Sequence, residues 1–487
     1  MHKLPEKLYL AEQVREMDRM AIEDYAIPGI ILMRRAGLVV FELIQKNYPS
    51  TAIVIFCGAG NNAGDGYVIA KLAIQSGFMV DVYAVSRPEK LQGDAAIAYQ
   101  DYVKAGGTAM AFDKKMALNN CVVIDALLGT GLNREVSDSY AEAIAVINDS
   151  QCPVIAVDIP SGLNADNGRL MGCAVKAVLT VSFIGLKQGM FSGFSAEYCG
   201  QIIYTSLDIP EAVFQTVNYQ SKLVRQPSLV KRHRCAHKGN HGHVLVVGGD
   251  TGFSGAIKLA AEAALRVGAG LVSVATRKSH SAYINMSRPE LMSHGVESAG
   301  ELMPLLNKST AIVIGPGLGQ SEWAKKLFKC VIDSGKPLII DADALNLLAK
   351  EPSHTDNWIL TPHPGEAARL LNCSTEMIAN DRFMAVSKLQ RLYGGVTVLK
   401  GAGTLIDNGD EISVSTTGNP GMASGGMGDV LAGMLAGLVA QGLSLAQATT
   451  TAVYLHGEAA DLSAQQAGER GLLASDLMPF IRQLVNR

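Results

Sequence analysis

The chain has 487 residues, of which 48% are hydrophobic and 18% are charged. Since a domain averages about 150 residues, this length predicts two or three folded units. The formal net charge is -3, whereas a nucleic-acid-binding protein normally shows a basic face or a high isoelectric point. The composition therefore gives no support to a nucleic-acid partner and is compatible with an enzyme that acts on small molecules.

The cysteines and the N-terminal sequence indicate the cellular compartment of the protein. The eight cysteines are scattered singly with no CxxC motif, which is typical of buried free thiols in a reducing compartment. The N-terminal sequence MHKLPEKLYLAEQVREMDRM is charged throughout and lacks the apolar core of a signal peptide. No stretch of about 20 residues is apolar enough to span a bilayer. We expect a cytoplasmic protein with no membrane partner.

Short apolar, β-branched runs, each followed by a helical pattern, recur along the first half. Near-continuous apolar strands are typical of a parallel sheet that is buried on both faces. The pattern predicts a doubly wound, Rossmann-like α/β domain with strands within residues 51–60, 79–86, 121–129, 153–162 and 177–185.

This alternation of strand and helix patterns stops between residues 205 and 242. A linker is expected near residues 215–230 because Pro, Gln, Ser and basic residues are mixed there. The alternation resumes with strands within residues 243–250, 271–276, 311–319, 336–345, 358–366 and 395–406, and then helices at 427–441, 444–463 and 475–485. The loops of the two halves differ in spacing and polar content. We predict two different α/β domains, residues 1–217 and 225–487.

The loop GAGNNAGDG, residues 58–66, follows the first strand of the first half. Ligands of α/β sheets gather at the carboxyl ends of strands, which makes this loop a site candidate. It resembles the dinucleotide fingerprint G-x-G-x-x-G but is one residue too long. Ser86 and Arg87 also stand where a dehydrogenase would carry its acidic ribose ligand, so an ordinary hydride-transfer domain is disfavoured.

Two further strand ends, at Asp125 and Asp158, are expected at the same edge. Asn62, Asp125 and Ser161 offer amide, carboxylate and hydroxyl oxygens, which alkali and alkaline-earth cations prefer. Each aspartate alone could instead cap a helix or form a turn. Three polar strand ends in one domain favour a site, where a cation could anchor a phosphate.

These motifs, together with DALLGTGLNR and VDIPSGLNAD, resemble the epimerase domain of the NAD(P)H-hydrate repair enzymes over roughly residues 10–215. The resemblance implies K⁺ on Asn62, Asp125 and Ser161, and Asp158 as the group that moves protons during epimerisation. It implies a dinucleotide site formed by Asn61, Asn62, Ala63, Gly64, Asp65, Gly129, Thr130, Gly131, Leu132, Asn133, Arg134, Glu135, Tyr140 and Asp158. Ala63 replaces a glycine of the family's loop, which matters only if that position needs a positive φ.

The second half has no G-x-x-x-x-G-K-[ST] motif, which excludes a P-loop NTPase. LKGAGTLI, residues 399–406, places a glycine turn between two apolar strands, either as a shelf for a nucleotide or as a plain hairpin. GNPGMASGGMGDVL, residues 418–431, puts Gly425, Gly426 and Gly428 at the start of a predicted helix. Their N–H groups could stabilise a transferring phosphoryl group while Asp429 accepts a proton, or the segment could be an ordinary turn.

With HKGNHGHVLVVGGDTGFSGA (237–256), IGPGLG (314–319) and LTPHPGE (360–366), these motifs resemble the ribokinase-like superfamily and, within it, the ADP/ATP-dependent NAD(P)H-hydrate dehydratases over roughly residues 225–487. The resemblance implies an anion hole at the glycines, Asp429 as the base, and Mg²⁺ on the nucleotide phosphates. It implies ADP or ATP on Lys400, Gly401, Ala402, Gly403, Thr404 and Gly428, and NAD(P)H-hydrate on Ala256, Gly317, His363 and Asp429. Met427 stands where many members carry Thr or Ser.

Histidines cluster just after the predicted linker, at His233, His237, His241 and His243, with Cys235 among them. Their spacing matches no zinc template and basic residues interleave them, which favours a solvated or substrate-facing loop over a metal site.

Together, the resemblances imply a bifunctional, homo-oligomeric enzyme. It would interconvert the R and S epimers of hydrated NADH and NADPH and dehydrate the S form at the expense of ADP or ATP, giving AMP and phosphate. One alternative is a small-alcohol or hydroxymethylpyrimidine kinase with an accessory N-terminal domain. Another is an N-terminal scaffold that binds RNA or a protein, against which Asp125, Asp158 and the absence of a basic charge excess argue.

Overall fold

A computed structural model describes residues 4–487. The chain divides into two compact units, the first ending at Lys222 and the second running from Leu223 to Arg487. Among the described residues, no helix combines the length and the apolar character needed to cross a bilayer.

Strands and helices alternate along the first unit. Its strands are β1 (Lys7–Tyr9), β2 (Ala52–Cys57), β3 (Val80–Ala84), β4 (Ala109–Ala111), β5 (Cys121–Ala126), β6 (Val154–Val157), β7 (Leu179–Phe183), β8 (Leu186–Lys187) and β9 (Gln201–Thr205). Strand β10 (Ser221–Leu223) begins in the first unit, and its last residue is the first of the second unit. Its helices are α1 (Ala11–Glu23), α2 (Gly29–Asn47), α3 (Asn61–Gln75), α4 (Gly93–Lys104), α5 (Asp138–Asp149), α6 (Ser195–Tyr198) and α7 (Glu211–Thr216).

A parallel sheet with the order β4-β3-β2-β5-β6-β7-β9 forms the centre of the first unit. Strands β2 and β5 are buried along almost their whole length, as apolar strands must be when helices cover both faces of a sheet. The chain winds from β2 outward through β3 and β4 and then returns to β5. The strand order therefore reverses between β2 and β5, and open α/β sheets bind ligands at such a switch point.

Strands and helices also alternate along the second unit, which ends with two antiparallel strands and three consecutive α-helices. Its strands are β11 (His243–Val247), β12 (Leu271–Thr276), β13 (Met292–Gly295), β14 (Ala311–Ile314), β15 (Leu338–Ile340), β16 (Trp358–Leu360), β17 (Val396–Leu399), β18 (Thr404–Asp407) and β19 (Ile412–Ser415). Its helices are α8 (Ser254–Val267), α9 (Lys278–Ile284), α10 (Ala299–Lys308), α11 (Glu322–Ile332), α12 (Asp343–Lys350), α13 (Pro364–Leu370), α14 (Thr375–Asn380), α15 (Arg382–Tyr393), α16 (Met427–Ala440), α17 (Leu445–Ala467) and α18 (Leu477–Leu484).

The sheet of the second unit is parallel from β13 through β12, β11, β14, β15 and β16 to β17, and continues antiparallel through β18 and β19. Helix α16 is buried nearly all round because it packs on α8, α17 and the strands β14 and β15. A helix that is apolar on every side is typical of such a central position.

The α/β class predicted for both halves is confirmed, and each predicted strand and each of the three predicted C-terminal helices is present. The chain also forms strands that the pattern did not predict, such as β4 and β13, which are short and lie at sheet edges. The expectation of buried thiols is only partly right. All eight cysteines are free, but Cys57, Cys121 and Cys199 are buried, Cys235 is exposed, and the others are half-buried.

Helices α8 and α16 approach each other at the level of their backbones. A Cβ added at Gly433 would overlap the carbonyl oxygen of Ala260, and one at Gly437 would overlap the side chain of Val267. Two residues without side chains are therefore required where the helices meet.

We expect Gly433→Ala to destabilise the second unit by about 1–3 kcal/mol, because the helices must separate to admit the new methyl group. Denaturant unfolding measures the change. Gly255→Ala in α8 is the control, since a Cβ there meets no atom within 4 Å, and it should be neutral or stabilising by less than about 1 kcal/mol. Equal stability of both variants would contradict the close packing.

Two candidate active sites

A cavity of about 940 Å³ lies at the switch point of the first unit. The loops that follow β2 and β5 line it with residues 59–62 and 127–140, and the opposite wall includes Arg15, Asp18 and Lys187. This volume lies at the upper end of the range that small-molecule sites occupy, as a dinucleotide-sized ligand requires.

Most residues predicted to hold the dinucleotide line this cavity. Asn61, Asn62, Asp65, Tyr140, Asp158 and every residue from 129 to 135 do so. Ala63 and Gly64 do not, because both are buried in the first turn of α3. The φ angle of Ala63 is not positive, so the replacement of the family's glycine by alanine introduces no backbone strain there.

The predicted cation ligands come together around Asp125 at the end of β5. Its Oδ1 accepts a hydrogen bond from the Ser161 hydroxyl at 2.6 Å, and its Oδ2 accepts one from the Ser161 N–H at 2.8 Å. The carbonyl oxygen of Leu128 lies 3.1 Å from the Ser161 hydroxyl and accepts a hydrogen bond from the Asn62 amide at 3.2 Å. Carboxylate, hydroxyl, amide and carbonyl oxygens are thus gathered within one small volume.

The Asp125 carboxylate is fully buried, and no Lys or Arg among the described residues forms an ion pair with it. Burial raises its pKa to about 6, although hydrogen bonds from Ser161 and Leu127 lower it. A buried carboxylate that lacks a cationic partner, surrounded by hard oxygen donors, fits a bound alkali cation. These residues are therefore chemically suited to K⁺.

Asp158, directly after β6, has a φ of 68°, which is uncommon for a residue with a side chain. Its Oδ1 accepts hydrogen bonds from the Phe183 N–H at 3.1 Å and from the Nζ of Lys187. Lys187 is wholly buried and also donates to the Ser182 hydroxyl at 3.1 Å. The sequence analysis did not identify Lys187, because it lies in a short strand with no motif around it.

Further carboxyl groups line the same cavity. Burial raises the pKa of Asp65 well above its ordinary value, and the charges of Asp158 and Asp18 raise it further. Burial and the charges of Asp94 and Asp158 likewise raise the pKa of Asp18. The cavity thus combines a carboxylate paired with Lys187 and neighbouring carboxyl groups whose pKa values are raised by burial and by like charges.

The second site lies where α16 begins. Gly426, with a φ of 91°, precedes the helix, and the first N–H groups of a helix have no acceptor within it. A Cβ at Gly425 would meet no atom within 4 Å, whereas one at Gly428 would lie 3.2 Å from the Nζ of Lys400. The first N–H groups of α16 therefore have no partner within the helix, and the loop that precedes it lies beside the ammonium group of Lys400.

Lys400 follows β17, and its side chain lies among carboxylates at the base of this loop. Its Nζ donates to Asp341 Oδ1 at 2.9 Å and lies 3.9 Å from Glu366 Oε2. Burial by itself would lower the pKa of Lys400, but Asp341 and Glu366 raise it above its ordinary value. The side chain of Lys400 thus lies beside the loop that precedes α16, and its predicted role in a nucleotide shelf stays a prediction.

Asp429 stands in the first turn of α16 beside these charges. Burial and the charge of Asp341 raise its pKa to about 7, although the charge of Lys400 lowers it. Burial also raises the pKa of Glu366 to about 7. A carboxyl group with a pKa close to neutrality is suited to accepting and releasing a proton.

The remaining predicted residues lie in two groups. His363 caps α13, where its Nδ1 accepts a hydrogen bond from the Gly365 N–H at 3.0 Å, and its side chain stays half exposed. A Cβ at Gly317 would lie 3.4 Å from the Cβ of Ala256 and closer to Phe253, so these two predicted substrate residues are neighbours.

The turn between β17 and β18 contains Gly401, Ala402 and Gly403, and Thr404 begins β18. Gly401 and Gly403 have positive φ angles of 138° and 61°. Arg382, which is almost fully buried, supports this turn from below with hydrogen bonds to the carbonyl oxygens of Leu399, Lys400 and Gly403. The turn is therefore held rigidly although it faces outward.

Asp341 and Asp343 were also not identified from sequence, although they end the predicted strand LIIDADAL. Ala342 between them has φ 49° and ψ -120°, a sparsely populated conformation for alanine. The reasoning about polar strand ends that found Asp125 and Asp158 would have found Asp341 as well. Among residues 4–487, no three His, Cys, Asp or Glu side chains are arranged to hold a metal ion, and this includes the histidine cluster at 233–243.

Comparisons with known proteins cover both units. A family model described as NAD(P)H-hydrate dehydratase matches residues 244–483, and one described as YjeF-related protein N-terminus matches residues 29–189. The chain is 48% identical to the bifunctional NAD(P)H-hydrate repair enzyme of Coxiella burnetii, over 98% of this chain and 99% of that protein. The chain belongs to this family.

The corresponding repair enzyme of Escherichia coli is 41% identical over 99% of this chain and 95% of that protein. A crystal structure of a hypothetical protein from Streptococcus mutans is 33% identical, with a TM-score of 0.50, and covers 53% of this chain and 94% of that chain. The repair-enzyme family predicted from the loop motifs is confirmed, and the alternative of an alcohol kinase with an accessory domain is not favoured.

If the Asp125 group holds K⁺, the ion should stabilise the first unit, because it neutralises a buried charge. We expect KCl to raise the unfolding temperature by several degrees at pH 8, relative to tetramethylammonium chloride at equal ionic strength; a ligand at 100 times its dissociation constant contributes about 2.7 kcal/mol.

Differential scanning calorimetry measures this shift. Asp125→Asn should abolish the K⁺ response, whereas Asp149→Asn, at an exposed aspartate of α5, should keep it. The same response in both variants would show that K⁺ acts elsewhere.

Proposed function

We propose that residues 1–217 interconvert the R and S epimers of NADH and NADPH hydrated at C6, and that residues 225–487 dehydrate the S epimer with ADP or ATP. The named relatives are bifunctional NAD(P)H-hydrate repair enzymes along almost the whole chain. The observation that carries the dehydratase assignment is Asp429, whose carboxyl group has a pKa near neutrality at the mouth of a glycine-rich anion hole.

The dehydratase step needs a better leaving group than hydroxide. Asp429 takes the proton of the C6 hydroxyl while the hydroxyl oxygen attacks the terminal phosphorus of the nucleotide. When the phosphoryl donor is ADP, AMP is the leaving group. The phosphate ester then departs as the ring nitrogen donates its lone pair, and loss of a proton from C5 restores the ring double bond. The N–H groups at Gly425, Gly426 and Gly428 and the ammonium group of Lys400 stabilise the phosphoryl charge during transfer.

The nucleotide and the hydrated dinucleotide would bind on opposite sides of the glycine-rich loop that precedes α16. The turn from Gly401 to Thr404, held by Arg382, carries the adenine nucleotide. Ala256, Gly317 and His363 contact the hydrated dinucleotide. Mg²⁺ bound to the nucleotide phosphates would add positive charge there during the transfer.

Epimerisation requires that the C6 hydroxyl leave and return on the other face of the ring. Asp158, held by Lys187, is the base that takes a proton from the returning water. The high pKa of Asp65 suits it to protonate the departing hydroxyl. K⁺ on Asn62, Asp125 and Ser161 adds a positive charge that would hold the dinucleotide phosphates. Homo-oligomeric assembly and a cytoplasmic location complete the proposal.

The two activities can be separated on one substrate mixture. Wild-type protein with ADP and Mg²⁺ should restore the dihydronicotinamide absorbance of an R and S mixture completely. Asp158→Asn should restore only the S fraction at the normal rate, because the other epimer is no longer converted. Asp429→Asn should slow recovery of both by about 10²- to 10⁴-fold, because the base is lost.

Chromatographic quantification of each epimer during the same assay reports the two steps directly. No recovery by the wild-type protein would reject the dehydratase function. Full recovery by Asp158→Asn would reject the proton-transfer role of Asp158.

The dehydratase rate should depend on the protonation of Asp429. A base acts in its ionised form, so kcat/KM should be constant at high pH and fall tenfold per pH unit below about pH 7. Glu366 also has a pKa of about 7, and Glu366→Gln is therefore the control. It should keep the inflection near pH 7 if Asp429 is the base, whereas loss of the inflection in Glu366→Gln would move the role to Glu366.

A further inference from the structure

A second large cavity, of about 1510 Å³, lies in the second unit. Its walls include the C-terminal ends of α8 and α16, at Val267, Gly268, Leu438 and Gln441. The glycine-rich loop of the dehydratase site is at the other end of α16, a helix of 14 residues and therefore about 21 Å long. The cavity is thus separate from the proposed dehydratase site.

Positive side chains dominate the lining. Those with permanent positive charge are Lys231, Arg232, Arg266, Arg288, Arg482 and Arg487. Glu290 is the carboxylate side chain that lines the cavity. Two of the clustered histidines, His233 and His241, and the exposed Cys235 lie in the same wall.

About half of these cations are balanced by carboxylates behind the wall. Glu262 pairs with both Arg288 and Arg266, and Glu458 lies 3.8 Å from Arg487. Within the described chain, Lys231, Arg232 and Arg482 form no ion pair. Arg232 instead donates to the Gly268 carbonyl oxygen and the Gln441 side chain at the helix ends.

The sequence around the cavity is depleted of acidic residues. Residues 212–249 contain no Asp or Glu but include Lys222, Arg225, Lys231, Arg232, Arg234 and Lys238, although the whole chain has a net charge of -3. The positive charges of this region affect His241. Burial lowers the pKa of His241, and the charge of Arg232 lowers it further. The Nε of Arg288 is buried without a hydrogen-bond acceptor in the described chain.

We propose that this cavity binds a small molecule that carries at least two phosphoryl groups. Arginine presents its N–H groups in a planar fork that matches phosphate oxygens, and several arginines around one concavity suit a compact polyanion. A nucleic acid would instead favour an extended basic face, which a chain of net negative charge does not provide. This site is independent of the proposed function, because it shares no residue with either candidate active site.

Cys235 allows the site to be tested in the full-length protein. Iodoacetamide should alkylate this exposed thiol readily, and inorganic diphosphate should slow that reaction at least fivefold by filling the cavity beside it. Peptide mass spectrometry gives the rate at Cys235 and, as an internal reference, at half-buried Cys373. Chloride at equal ionic strength controls for screening.

Two charge-matched variants locate the effect. Lys231→Ala with Arg482→Ala should raise the diphosphate concentration needed for protection at least tenfold, because each removed cation weakens a charge-assisted contact. Lys326→Ala with Arg391→Ala removes one lysine and one arginine outside the cavity and should change nothing. The dehydratase rate without diphosphate should be equal in both variants, which shows that they are folded.

The same alkylation experiment is repeated with ADP and with NADP in place of diphosphate. The ligand that protects Cys235 at the lowest concentration identifies the source of the phosphoryl groups. The proposal is overturned if diphosphate, ADP and NADP all leave the rate at Cys235 unchanged, or if chloride protects equally. It is also overturned if the two double variants respond alike, or if protection comes only from a single-stranded oligonucleotide.

Discussion

Both candidate sites depend on burying carboxylates at the carboxyl ends of parallel strands. A buried charge is costly unless it is paired, hydrogen-bonded or neutralised by protonation, and this chain uses all three solutions. Asp158 pairs with a fully buried lysine, Asp125 is satisfied by the hydroxyl and N–H groups of Ser161, and Asp65 favours the protonated form. The sheet provides the low-dielectric surroundings in which such differences arise.

The two units apply the same constraint to different chemistry. In the first unit, a paired carboxylate and carboxyl groups whose pKa values burial raises line one cavity, which suits addition and loss of water. In the second unit, a lysine is held between Asp341 and Glu366 beneath the N-terminus of a helix. In the proposed reaction, its positive charge and the N–H groups at the start of the helix act on the same anion, as phosphoryl transfer requires.

Much of this could be predicted from sequence, since glycine-rich loops and polar strand ends mark the carboxyl edge of a parallel sheet directly. The loops 58–66 and 418–431, Asp125, Asp158 and Asp429 were found in this way. Lys187, Asp341 and Arg382 were not, because their importance comes from pairing with residues 17 to 59 positions away, which no local pattern records. The half-buried and exposed cysteines were missed for the same reason, as burial depends on tertiary packing.

The glycines that bring α8 and α16 into backbone contact have a consequence for the dehydratase site. The helices run parallel, and no side chain at Gly433 or Gly437 can rearrange to widen or narrow the gap between them. An approach of the two helices therefore cannot bring Ala256, near the start of α8, closer to Gly428 at the start of α16. In the proposed reaction, movement of the ligands themselves, rather than closure of the helices, would bring the reacting hydroxyl and the phosphorus into range.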